Sequence, residues 1–428
     1  MKNAVAAIVS TVLCVSMALG QTNRTGPAPG PLKPGVLESP FVQPDGRITF
    51  RLFAPDSARV DVIGDYPISE GYAATWKHLH MTKDEQGLWS ITVGPLEPDF
   101  YSYTFVLDGV RIPDPGNLRT TREGHLRSSW AIVPGPGSAN YQVNDVPHGQ
   151  MSGIWYPSPT LRMTRRMIVY TPPGYEGGAD RYPVLYLLHG ERSVDHGDEE
   201  VWADMGRAPE IFDNLVAQGK MVPMIVVMIN CNWWESMSIN DAPSRARVGE
   251  NEVGNGLERI PASIVHDLIP FVDKTYRTKA DRDHRAIAGA ARGGAQTLLA
   301  ALNNLDDFAW VGSFSGEIPL LPDVKIDIPM PANAATRRGP DVGNSIDPMK
   351  FEKLFPALGP NLNTRLRLLY LTDGGDDGLV ESWVDARKIL DEKGVKYLWV
   401  EQAGYGHEWR FWRLALQDFA SRLFKSTK

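Results

Sequence analysis

The sequence predicts an α/β fold with a mainly parallel sheet, preceded by a small all-β sandwich, and three features of the chain lead there. Residues 39–135 hold short segments that alternate apolar and polar side chains, the pattern of half-buried strands. Residues 145–428 instead hold apolar runs separated by longer segments of helical spacing, the pattern of a parallel sheet covered by helices on both faces. Between the two lies Pro134-Gly135-Pro136-Gly137-Ser138, which disfavours helix and central strand alike.

The chain has 428 residues, 43% of them hydrophobic and 22% charged, enough for two cores and too apolar for a disordered chain. A net charge of -7 without a long run of one sign argues against nucleic acid as a partner. Lys2, the apolar stretch 4–19 and Ala18-Leu19-Gly20 before Gln21 read as a signal peptide over residues 1–20, so the mature chain is expected to start near Gln21, secreted or periplasmic. That stretch falls short of the roughly 20 residues a membrane span needs, and no membrane contact is expected once it is removed. Cys14 lies inside it behind Val12-Leu13, a poor lipoprotein site, which leaves Cys231 alone, with no intrachain disulfide and the expected role of a small buried residue. Nothing in the sequence sets an oligomeric state.

Residues 21–38 are rich in Pro and Gly and read as a tether. The sandwich strands are expected at residues 47–53, 60–63, 88–93 and 101–107, with Asp108-Gly109 opening a hairpin. Residues 134–159 read as irregular. Sheet strands are expected at residues 166–170, 184–188, 224–228, 285–288 and 366–371, and helices at residues 208–218, 260–275 and 381–393.

The chemistry concentrates where such strands end. Ala286-Ile287-Ala288 closes a strand, Gly289-Ala290-Ala291-Arg292-Gly293-Gly294 makes a turn of small residues, and Ala295-Gln296-Thr297-Leu298-Leu299 starts a helix. This is the frame of a nucleophile elbow, in which small residues let strand and helix approach while a serine oxygen stays exposed, except that Ala291 stands at the serine position. In that fold, the α/β-hydrolase, an acid follows a later strand and a histidine comes near the end. Asp377, with Asp373 and Asp376 as competitors, and His407 in Gly406-His407-Glu408-Trp409 occupy those places. Leu188-His189-Gly190-Glu191 ends an early strand, so by position Glu191 and Arg292 would supply the oxyanion-hole N–H groups. Asn232, Trp233 and Trp234 follow another strand on the side where sheet ligands bind, and with Trp409 they are the candidate substrate contacts. Residues 320–348 are placed as a partial lid.

Tyr182-Pro183-Val184-Leu185-Tyr186-Leu187-Leu188-His189-Gly190, the elbow, Phe314-Ser315-Gly316 and Gly406-His407-Glu408-Trp409, in that order, resemble the esterase D-like carbohydrate esterases, whose members include feruloyl, acetylxylan and enterochelin esterases. Phe53-Ala54-Pro55, Gly87-Leu88-Trp89 and Val106-Leu107-Asp108-Gly109 resemble the immunoglobulin-like module, related to glycogen-binding sandwiches, that precedes such domains. In that module Trp76 either stacks on a sugar or packs on the next domain. The resemblance implies serine ester hydrolysis of plant-wall or similar esters without metal or organic cofactor, and a carbohydrate or acylated saccharide as partner.

Three residues depart from that family. Ala291 cannot attack a carbonyl, Glu191 stands where the family usually has glycine, and Arg292 replaces an apolar residue. A carboxylate about 4 Å from a developing oxyanion repels it by roughly 1 to 4 kcal/mol, unless Glu191 turns to solvent or pairs with Arg192 or Arg292. The sequence therefore predicts an exported pseudoenzyme that keeps a binding cleft. Two alternatives stand beside it: an active ester hydrolase, through a parent with serine at 291 or water activated by His407, and a protein-interaction module.

Overall fold

The computed structural model describes residues 38–66, 78–123, 126–190, 198–232, 256–318 and 346–425. The expected signal peptide and tether, Trp76, Glu191, Trp233, Trp234 and nearly all of the expected lid lie outside them.

Two sheets form the sandwich. One runs in the order β1 (Phe41–Val42), β2 (Ile48–Phe53), β6 (Leu88–Val93), β5 (Thr82–Lys83). The other runs β4 (Leu79–His80), β3 (Val60–Gly64), β7 (Phe100–Leu107), β10 (Leu126–Ile132), β9 (Thr120–Glu123), with β8 (Val110–Ile112) also on β7. Alternate residues of facing strands, among them Ile48, Phe50, Leu52, Val60, Val62, Tyr101, Tyr103 and Phe105, meet in one core. Asp108 and Gly109, both at positive φ, make the expected two-residue hairpin, and Leu107 pairs with Val110.

Beyond it an eight-stranded sheet runs β11 (Gln150–Ser158), β12 (Met163–Thr171), β14 (Ile225–Ile229), β13 (Val184–Leu188), β15 (Arg285–Ala290), β16 (Trp310–Phe314), β17 (Leu368–Gly374), β18 (Leu398–Gln402). The first two strands are antiparallel to their neighbours and the rest run parallel, giving the mainly parallel sheet the sequence predicts. β11 corrects the reading of residues 134–159 as irregular. Pro157 and Gly153 suggest a break, yet β11 sits at the edge of the sheet, where a missing N–H costs nothing.

Successive side chains of the central strands point to opposite faces and fill two cores. Tyr186, Val227, Ile287 and Val311 meet the helix Arg292–Leu302 and the helical run from Gly256–Ser263 through a π-turn at Ile264–Leu268 to Ile269–Thr275. Leu185, Leu187, Val226 and Ala288 meet the helices Ala208–Ala217 and Trp409–Arg422. Parallel strands bring their C-terminal ends to one edge, so β13, β15, β17 and β18 deliver their following loops together there.

Candidate functional site

Ala291 is the residue between β15 and its helix, with φ 48° and ψ -120°, a conformation that L-residues adopt only when their surroundings hold them there. Its N–H donates to the Phe314 carbonyl (2.9 Å), and its carbonyl accepts from Gly294 (3.0 Å) and Glu317 (3.0 Å). Glycines surround the bend because nothing larger fits. A Cβ on Gly293 would lie 2.4 Å from the His189 carbonyl oxygen, and one on Gly289 would lie 2.4 Å from Gly293 backbone atoms. On Gly190 it would lie 2.6 Å from the Ala291 methyl carbon. The elbow thus carries a methyl, packed toward the turn that leaves β13.

His189 secures that turn. Buried, its ring keeps a lowered pKa because burial disfavours the charged form; Nε2 accepts from the Cys231 N–H (2.9 Å), and Nδ1 lies 3.1 Å from the Gly190 carbonyl. Neutral imidazole with its proton on Nδ1 satisfies both contacts. Cys231 is buried, as its position after an apolar strand predicts.

His407 follows β18, and its Nδ1 donates to Asp377 Oδ2 at 2.8 Å from the loop after β17. Of the three candidate carboxylates, Asp377 is the one that meets the ring. It also accepts from the Leu379 N–H (2.9 Å). Burial alone would raise its pKa, but the His407 charge and hydrogen bonds hold it below the ordinary range. Asp373 lies in β17, fully buried, and is driven upward by burial first and by the neighbouring Asp377 charge second. Two adjacent buried carboxyls cannot both ionise, so Asp373 keeps its proton while Asp377 stays charged. Asp376 is exposed.

The His407 ring rests edge-on against Trp412 (5.1 Å between centroids), which in turn meets Trp409 edge-on at 5.0 Å. Trp409 also meets Trp202 edge-on at 5.1 Å and is 8% exposed. Its ring is packed between those of Trp202 and Trp412. Asn232 is buried, with its backbone carbonyl held by Arg165 (2.6 Å) and its N–H by Asn230 Oδ1 (2.8 Å). Arg292 opens the elbow helix, where a first-turn N–H has no partner within the helix. Sequence reasoning missed the roles of His189, Asp373, Trp202 and Trp412; the indole cluster has a signal in Trp409 and Trp412, three residues apart on one helix.

Residues 158–333 match a family model described as putative esterase, and residues 38–120 match carbohydrate-binding module 48, the isoamylase N-terminal domain. The chain is 28% identical over 403 residues to an endo-1,4-beta-xylanase/feruloyl esterase of Xylanibacter ruminicola, covering 93% of this chain and 47% of that protein. It is 25% identical over 164 residues to endo-1,4-beta-xylanase Y of Acetivibrio thermocellus, covering 36% of this chain and 13% of that one. It thus spans less than half the length of either relative. The enterochelin esterase of Shigella flexneri shares its fold, with a TM-score of 0.59, 18% identity and coverage of 89% of this chain and 92% of that one. Residues 158–333 thus carry the match to the putative esterase family, on an α/β-hydrolase fold behind an N-terminal all-β domain that matches carbohydrate-binding module 48.

Proposed function

We propose that this chain is an exported carbohydrate-esterase-like protein that has lost serine catalysis and keeps a cleft for a carbohydrate or an acylated plant-wall saccharide. The observation that carries this reading is the Ala291 methyl at the apex of a bend whose other parts are present, namely the strained backbone, the close-packed glycines and the Asp377–His407 pair. Loss of the serine from such a triad lowers the rate by about 10⁶, leaving the oxyanion hole and binding to act. The names of the two relatives, a xylanase/feruloyl esterase and a xylanase, support a feruloylated or acetylated xylan fragment as ligand. Arg292, at the mouth of the elbow, is suited to a carboxylate or sugar acid. Calorimetric titration with ferulate and with a feruloylated xylo-oligosaccharide tests the reading: saturable binding weakened by Arg292→Ala is expected, and absence of binding to both would leave the protein-interaction reading.

The intact Asp377–His407 pair favours a second reading, a working ester hydrolase. Either a parent carries serine at 291, or His407 activates water directly. Ester turnover that His407→Ala abolishes would establish it.

A further inference from the structure

We infer that the N-terminal sandwich is a built-in support of the site, with Asp99 as the positioning residue for His407. The helix Trp409–Arg422 begins two residues after His407, and its Arg410 and Arg413, one turn apart, both turn to the sandwich. Asp99, buried just before β7, accepts from Arg410 Nε (3.0 Å) and Arg413 Nη2 (3.4 Å). Arg413, fully buried, also donates to the carbonyls of Phe100 (2.8 Å) in the sandwich and Met205 (2.9 Å) in the larger domain. A buried charge pair of this kind fixes direction as well as distance, because removing either partner strands the other in the interior. The first turn of the helix, and with it the loop presenting His407 to Asp377, is thereby set by a carboxylate that belongs to the sandwich.

A second grip holds the far side. Arg122 in β9 pairs with Asp198 and Glu200 at 2.6 Å each. Glu200 is shared with Arg166 of β12 (2.6 Å), so sandwich and sheet together hold Asp198 and Glu200, just before the helix Val201–Asp204. The tryptophans described in the sandwich are used inside it and at this junction. Trp89 is in its core with Nε1 on the Ala54 carbonyl (2.9 Å), and Trp130 packs against Phe100 (5.2 Å) beneath Arg207 (5.1 Å) of the larger domain. The Trp130 ring is thus given to docking.

This rests on the reading of the His407 loop as the site, and the test separates the two. The ¹⁵N and ¹³C shifts of the His407 ring, assigned by their loss in His407→Ala, report its hydrogen bond to Asp377, whatever the chain binds or hydrolyses. Asp99→Asn in the full chain is expected to move them toward those of Asp377→Asn, and Asp99→Glu to keep the parent shifts. Val93→Ala, which loosens the sandwich core away from the junction, is expected to leave them unchanged. Should Asp99→Asn not fold, Arg410→Lys, which keeps the charge and drops the guanidinium geometry, takes its place with the same expectation. Parent-like shifts in the Asp99→Asn chain, or an equal change in Val93→Ala, would overturn the inference.

Discussion

Gly190 and Ala291 face each other across the gap between β13 and β15 so closely that a side chain on the first would meet the methyl of the second at 2.6 Å. The turn expected to supply an oxyanion donor is thus seated directly against the apex of the elbow. Gly190→Ala is predicted to destabilise the chain by about 1–3 kcal/mol, the usual cost of forcing an extra carbon into a packed site. Denaturant unfolding at neutral pH measures it, and an unchanged midpoint would mean that the two turns are not in contact.

Ala291 bears backbone strain with no hydroxyl to justify it. A non-glycine residue at φ 48° costs of order 1–3 kcal/mol, whereas glycine enters that region freely. After subtracting the extra freedom that glycine gives the unfolded chain, Ala291→Gly is predicted to stabilise by about 1 kcal/mol. Loss of stability on that substitution would show that the methyl contributes more by packing than the bend costs.

Restoring the hydroxyl addresses chemistry. With Asp377 2.8 Å from His407 Nδ1, the base is already oriented, and Ala291→Ser is predicted to raise hydrolysis of p-nitrophenyl acetate by about 10³ or more over the parent. His407→Ala in that background is predicted to remove the gain. No gain would locate the loss in Glu191 and Arg292 as well.

Asp65 gives the junction a pH dependence. Burial lifts its carboxyl from 3.8 to about 7, the nearby Arg413 and the Ser102 N–H only partly opposing it. A raised carboxyl means that the folded chain holds a proton which the unfolded chain has released between about pH 4 and pH 7. Stability therefore falls as pH rises through that window and stays lower above it. Each unit is worth ~1.4 kcal/mol, so Asp65→Asn is predicted to exceed the parent by a few kcal/mol at pH 8 and to match it near pH 4. Parallel stability curves for the two chains from pH 4 to pH 8 would refute this.

The elbow was legible because its geometry is local: Gly289 and Gly293 are small for contacts within a few residues or with the adjacent strand. The apolar run Val184–Leu188 was equally legible, since a strand buried on both faces needs no alternation. The edge strands were not. β9 reads as polar Thr and Arg, and β11 carries Pro and Gly, because an edge strand is free of the constraints that make a central one recognisable. The sequence puts Asp377 ahead of Asp373 and Asp376 by position alone, and the turn after β17 that sets Asp373 within the sheet and brings Asp377 to His407 leaves no mark in it. The Asp99–Arg410 pair spans 311 positions and leaves no periodic trace. Trp409 beside the His407 loop reads the same in the sequence whether it faces a ligand or supports a wall, and the sequence leaves its packing against Trp202 unmarked.

The central proposal is that the chain keeps the Asp377–His407 pair and lacks a serine nucleophile, and ester turnover by the unaltered chain tests it most directly. Purified protein incubated with feruloyl, acetyl and p-nitrophenyl esters is predicted to release product no faster than the His407→Ala chain. Turnover well above background that disappears in His407→Ala would contradict the account and make this a working hydrolase without a serine at its elbow.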